Sequence, residues 1–178
     1  MSSAALLQRP APTEAATYYF TYIDQVPDGD LLSILRNQLP QLEQVAAHFT
    51  EETSQRHPAP NKWSPREILN HISDAERLFA FRAFWFARGL KEPLPSFDQQ
   101  IAAAHTPANE LPWTTLIEEF RAVRQATLSL LENLPTAAWT RTGTASDLPF
   151  SVRALAFIIA GHFAHHINAL AKLRADAA

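Results

Sequence analysis

Apolar residues in this sequence return at steps of three and four over four separate stretches, and no stretch reads as an alternating strand. That period puts each set on one side of a helix, so the chain is confined to helices that bury their stripes against one another. Residues 31–49 carry Leu31, Leu35, Leu39, Leu42, Val45, Ala46 and Phe49 on one face, with Pro40 inside the pattern and expected to kink or divide the helix near Leu39. The second stretch opens at Ser64-Pro65-Arg66-Glu67: a hydroxyl at the cap, proline at the first helical position and glutamate at the third, which is a capping box. It runs to about residue 88, where Gly89 supplies a left-handed stop. Residues 113–134 carry Leu116, Phe120, Val123, Thr127, Leu130, Leu131 and Leu134 before Pro135 ends them. Residues 151–174 carry Val152, Leu155, Ile159, His162, His166, Leu170 and Leu173. The expected fold is all-α, a four-helix bundle with a short N-terminal extension.

The segments between the stripes are polar and rich in proline. Residues 1–13 read as a flexible tail and residues 14–178 as one domain, which this length can stabilise with a core of its own. Residues 14–23, with Tyr18, Tyr19, Phe20 and Tyr22, fit a short helix or a strand. The aspartates of the turn at 26–30 can cap the helix that follows. The loop at 90–109 is long enough to expect a functional role, and Asp98 is placed to cap or tie it. A second connection contains Gly143 and Pro149. Phe79, Phe81, Phe84, Trp85 and Phe86 are too many to point one way, so either some face a partner subunit or a covering loop or together they fill one large core.

Composition removes whole classes of chemistry. With no cysteine among the 178 residues, disulfides, thiolate metal sites and a cysteine nucleophile are excluded. The 4 glycines are scattered, and neither GxGxxG nor GxxxxGK[ST] occurs, which removes the nucleotide folds that need those loops. Fifteen basic against eighteen acidic side chains, a formal net charge of −3, argue against a nucleic-acid partner. No apolar run reads as long enough to span a membrane, and the first sixteen residues lack the basic and apolar regions of a signal peptide, so the cytoplasm is the expected compartment.

Chemistry is left to the 7 histidines. His162 and His166 lie about 40° apart around one helix, one turn above the other, inside a leucine stripe. Two inward imidazoles without partners would cost on the order of 1–3 kcal/mol each, and HxxxH on one face can present both to a single ion. His165 points about 60° off that stripe and reads as a flanking residue with a possible role behind the ligands. On the second helix His71 lies beside Ile68, Ile72 and Ala75, near the border of the apolar face, with Asp74 and Arg82 on the neighbouring side. Three neutral histidines plus water suit zinc or nickel. The competing reading is three core histidines, each bonded to a carbonyl or a carboxylate. Glu76 falls about 140° from His71 and reads as structural or interfacial. His48, His57 and His105 fall at a helix end or in loops and read as solvated.

The run Lys62-Trp63-Ser64-Pro65-Arg66-Glu67-Ile68-Leu69-Asn70-His71-Ile72-Ser73-Asp74-Ala75-Glu76-Arg77 resembles the KWS-x-RE-x-x-x-H-x-x-D-x-ER signature of DinB-like (DNA-damage-inducible) proteins. Pro93-Leu94-Pro95-Ser96-Phe97-Asp98, Val152-Arg153-Ala154-Leu155 and Ile159-Ala160-Gly161-His162-Phe163-Ala164-His165-His166 continue the resemblance over nearly the whole chain beyond the tail. Asn61, where glycine is common, and Pro40 are mild departures. The resemblance implies an up-down-down-up four-helix bundle, commonly a homodimer, with a divalent metal, usually zinc or nickel, on three histidines. By position these are His71, His162 and His166.

Relatives include transferases that join low-molecular-weight thiols to electrophiles, and a mycothiol-dependent isomerase. The expected function is therefore a metal-dependent enzyme on a small molecule, a hydrolase or a thiol transferase, whose open metal position takes water or an imported thiol. No residue stands out as a general base. The alternative is a non-catalytic metal-binding or dimerising bundle.

Overall fold

Each of the first two long helices begins where the sequence offers its first amides a partner. The computed structural model describes residues 8–175. In chain order it contains α1 (Phe20–Ile23), α2 (Leu31–Ala46), α3 (Pro65–Ala87), α4 (Gln99–Ala104), α5 (Trp113–Glu132), the strands β1 (Thr142–Ala145) and β2 (Leu148–Ser151), and α6 (Val152–Ala175). Asp30 accepts from the Ser33 amide at 2.9 Å to open α2. The Ser64–Glu67 capping box forms in both directions to open α3, and Gly89 follows its end at φ 81°. Residues 14–23, open to either reading in the sequence, form a 3-10 turn leading into α1.

Pro40 does not divide α2. Its ring and Arg36, whose carbonyl loses its helical donor, both lie on the solvent face, where water can satisfy that oxygen. Helix α2 ends at Ala46, and Phe49 stays buried beyond it in a turn.

The four long helices form a four-helix bundle in which α2 and α3 each pack against both α5 and α6. Helices α3 and α5 run parallel: Ser64 meets Asn109 before α5 begins, Arg77 meets Glu119, and Glu76 meets Arg124. Helix α2 runs against α5, since the Ala46 carbonyl receives Trp113 at one end while Arg36 meets Glu132 at the other. Helix α6 in turn runs against α3. The order is therefore up-down-down-up, and the chain must travel the length of the bundle between α3 and α5. The segment 88–112 makes that return and carries α4, whose first amides bond to Asp98 as expected.

Buried leucine, isoleucine and phenylalanine of the stripes contribute about 1.5–3 kcal/mol each. They fall into two clusters, one around Phe79, Phe86, Phe150 and Leu155, the other around Leu42, Ile72, Phe120 and Phe163. A polar layer runs between them. Arg124, fully buried, donates to both Glu76 carboxylate oxygens at 2.7 Å, to Gln38 at 2.6 Å and to the Leu35 carbonyl at 2.9 Å. Gln38 donates to the Ala160 carbonyl at 2.8 Å, so one network joins all four helices. Glu76 is structural, on the side of α3 away from His71.

Two expectations need correction. The connection holding Gly143 and Pro149 is a β-hairpin, Thr142 paired with Ser151 and Ala145 with Leu148, turned by Ser146 and Asp147 at φ 53° and 59°. Strands of four residues, one holding a glycine and the other a proline, are too short to show alternation. Secondly, the span Val152–Leu173 is long and apolar enough by length and composition to cross a membrane, with a mean hydropathy of 1.3. Its residues are mostly buried among the other helices, which is the position of a core helix.

Of the expected tail, residues 1–7 lie outside the described residues. Arg9 donates to the Ile23 and Val26 carbonyls at 2.7 and 2.6 Å.

Candidate metal centre

Helix α3 and helix α6 cross the bundle in opposite directions, and their crossing brings the three histidines of the stripes face to face. His71 stands two turns into α3, and His162 and His166 stand one turn apart on α6. One ring nitrogen of each lies within 4.8 Å of those of the other two. Ring centroids are 4.9 Å apart for His71–His162, 4.8 Å for His71–His166 and 4.4 Å for His162–His166. The Nε2 atoms of His71 and His162 are 3.1 Å apart. His71 and His162 are buried and His166 is half-buried.

These rings are kept neutral. Burial, with His165 as a weaker influence, pushes His71 down to about 4. His166 is pushed down to about 3 by burial and then by His71 and His165. His162 lies well below the ordinary imidazole value for the same reasons, burial first. Neutral imidazoles have the free lone pair that a metal needs. The core-histidine reading requires carbonyl or carboxylate partners, and among the described residues none hydrogen-bonds to these three rings. The donor set therefore fits a divalent ion of borderline softness.

His165 is exposed, with Nδ1 3.4 Å from the Gln25 amide nitrogen, and is not one of the three. His57 and His105 bond to the Lys62 and Ile101 carbonyls, and His48 is exposed past the end of α2; none of them belongs to the cluster.

Sequence reasoning missed the tyrosines. Tyr22 stands edge-on to His162 at 5.2 Å, and its hydroxyl lies 3.0 Å from that of Tyr18. Burial and these neighbouring phenols push Tyr22 up, so it stays protonated. It reaches the site because α1 lies directly on α6 at Gly161. A Cβ there would sit 2.0 Å from the Tyr22 carbonyl oxygen. The aromatic run at 18–22 was visible, but its docking depends on that one missing side chain. From His71 and His162 a cavity of about 110 Å³ extends between Tyr19, Tyr22 and Phe79 to Arg82.

The sequence matches the family model described as the DinB superfamily over residues 34–170, a span that includes all three histidines. No curated protein matches it. Among solved structures it is similar to YfiT from Bacillus subtilis, described as a probable metal-dependent hydrolase with an unusual four-helix bundle topology. The likeness has a TM-score of 0.74 at 13% identity and covers 94% of this chain and 92% of YfiT. At that identity it speaks for the fold, and the fold it shares is the bundle described above. With the family match spanning most of its length, the chain belongs to the DinB superfamily.

Proposed function

We propose that His71, His162 and His166 hold a divalent metal, zinc or nickel, and that the chain is a metal-dependent hydrolase of a small molecule. One observation carries this reading: three neutral imidazoles converge, and two of them, His71 and His162, line a cavity instead of being closed off within the core. A bound ion would supply Lewis acidity and lower the pKa of a water or thiol placed on it. The protein's part is to hold three nitrogens neutral and mutually oriented. Trp63, whose ring lies 4.9 Å from His71, and Tyr22 limit how far the rings can turn. Ala75, Leu78 and Phe79 give the cavity one apolar wall on the α3 side.

YfiT's description supports the hydrolase reading over thiol transfer. The cavity favours it over a non-catalytic bundle, since a purely structural ion would be enclosed by protein. The homodimer is part of the same proposal. Its surface is the apolar groove between α3 and α5, where Phe81 and Phe84 are exposed beside Ala126 and Leu130.

The test is elemental analysis of tag-free protein after metal-supplemented growth, beside His71→Ala and His166→Ala. Wild type should carry close to one equivalent and the variants far less; equally negligible metal in all three refutes the centre. Loaded protein is then assayed on simple esters and amides. Turnover only when a low-molecular-weight thiol and an electrophile are supplied would replace hydrolysis with thiol transfer.

A further inference from the structure

Three arginines are almost fully buried in this bundle: Arg66, Arg82 and Arg124. Two of them have a carboxylate, Arg124 with Glu76 and Arg66 with Glu51. Arg82, 2% exposed, has none among the described residues. Its Nη2 donates to the Pro95 carbonyl at 3.2 Å and to Ser146 Oγ at 2.9 Å, both neutral, while its buried Nε has no partner. Side chains of this kind are rarely buried without an opposite charge, because neutral oxygens do not replace the hydration a guanidinium gives up.

Arg82 lines the same cavity as His71 and His162. It stands eleven residues after His71 on α3, about 16 Å along the axis, and its side chain leans back toward the N-terminus and so toward the histidines. Phe79 lies between. Its ring is 6.1 Å from that of His162 and 5.9 Å from the Arg82 guanidinium. Arg82 is the cavity's only formally charged side chain among the described residues, and the phenol of Tyr19 lies beside it.

We propose that Arg82 recognises a carboxylate on the substrate, which lies along Phe79 with its anionic end at Arg82 and its reacting group toward the histidines. One guanidinium balances a monoanion, whereas a phosphate dianion would be left half-compensated. A cavity of about 110 Å³ with an aromatic wall admits a short apolar carboxylate. The anion subsite follows from the cavity alone; that its ligand is a substrate rests on the proposed function.

The test is titration of metal-free, ¹⁵N-labelled protein with butyrate, and with butyramide as its uncharged counterpart. The readout is the Arg82 Nε–H signal, identified by its contacts to the Phe79 and Phe150 rings, which lie 5.9 and 6.0 Å from the guanidinium. Butyrate should shift that signal saturably and butyramide should not, and Arg82→Gln should weaken butyrate binding at least tenfold. Should Arg82→Gln fail to fold, Tyr19→Phe takes its place, with a severalfold weakening expected. The proposal is overturned if butyrate leaves the signal unshifted, if butyramide shifts it equally, or if the variant binds butyrate as wild type does, as it would if Arg82 only pinned the loop at Pro95 and the hairpin at Ser146. Zinc stoichiometry on the same samples separates the two readings. Butyrate binding without zinc uptake removes the metal centre alone, and zinc uptake without butyrate binding removes the anion subsite alone.

Discussion

Acid should unfold this protein partly through His71, by an amount the structure sets. In an unfolded chain imidazole takes a proton near pH 6.5, whereas His71 in the fold resists until about 4. Above pH 6.5 both states are neutral there and the buried ring costs nothing in proton terms. Between those two values the unfolded state binds a proton that the folded state refuses, so stability falls as pH falls, by at most about 1.4 kcal/mol per pH unit for one site. Across the window His71 accounts for about 3 kcal/mol, a sizeable share of the ordinary stability of a single domain. The measurement is urea unfolding of metal-free wild type and His71→Leu at half-unit steps from pH 7 to 4. Carboxylates such as Glu14 and Asp30, whose pKa values are lowered, titrate in both proteins and cancel in the difference. Wild type should lose about 3 kcal/mol more than the variant over that range. Parallel curves would mean that His71 is not buried as a neutral ring, and the case for a preformed set of metal-ready imidazoles would fall with it. Saturating zinc should raise the wild-type curve by a nearly constant amount over the same range, because the folded imidazoles it binds are already neutral there and it displaces no protons from them.

Two further outcomes follow from the packing. Glu76→Gln leaves the Arg124 charge buried without its carboxylate and should cost about 3–5 kcal/mol in urea unfolding, whereas Glu76→Leu combined with Arg124→Met should recover most of that loss; costs that simply add would show that the pair is not coupled. Gly161→Ala places a methyl against the Tyr22 carbonyl and should destabilise by about 1–3 kcal/mol while weakening the Tyr22–His162 ring contact seen by NMR; an unchanged midpoint with that contact intact would show that α1 is not held as described.

The long helices were legible because a helix buries a stripe, and a stripe leaves a period in the sequence. The three histidines could be located for the same reason: His162 and His166 replace apolar residues within one stripe, and His71 borders another. Tyr22 and Arg82 left no such trace. Tyr22 needs α1 to lie on α6 at Gly161, and nothing near residue 22 encodes that glycine. Arg82 could be placed beside the face that carries His71, but its burial without a carboxylate depends on the hairpin and the Pro95 loop that close over it, and the hairpin itself escaped notice. Glu76 could be placed off the histidine face by angle alone. Its partner could not be named, because pairing with Arg124 requires α3 and α5 to run parallel, a relation that no period within either helix records.

That parallel pair has a cost in chain length and an advantage in adaptability. Helix α3 is about 34 Å long, and the return from its end to the start of α5 must cover a comparable distance. The route passes the mouth of the cavity, where Phe97 and Gln99 contribute to its wall. The three histidines stand on helices braced by the buried arginine network, while this strap carries few of the bundle's buried residues. Substitutions, insertions or deletions along residues 90–107 can therefore reshape which molecule enters without disturbing the nitrogens that would act on it. A bundle wired with short turns would have no such independent edge, and every change of substrate would have to be negotiated with its core.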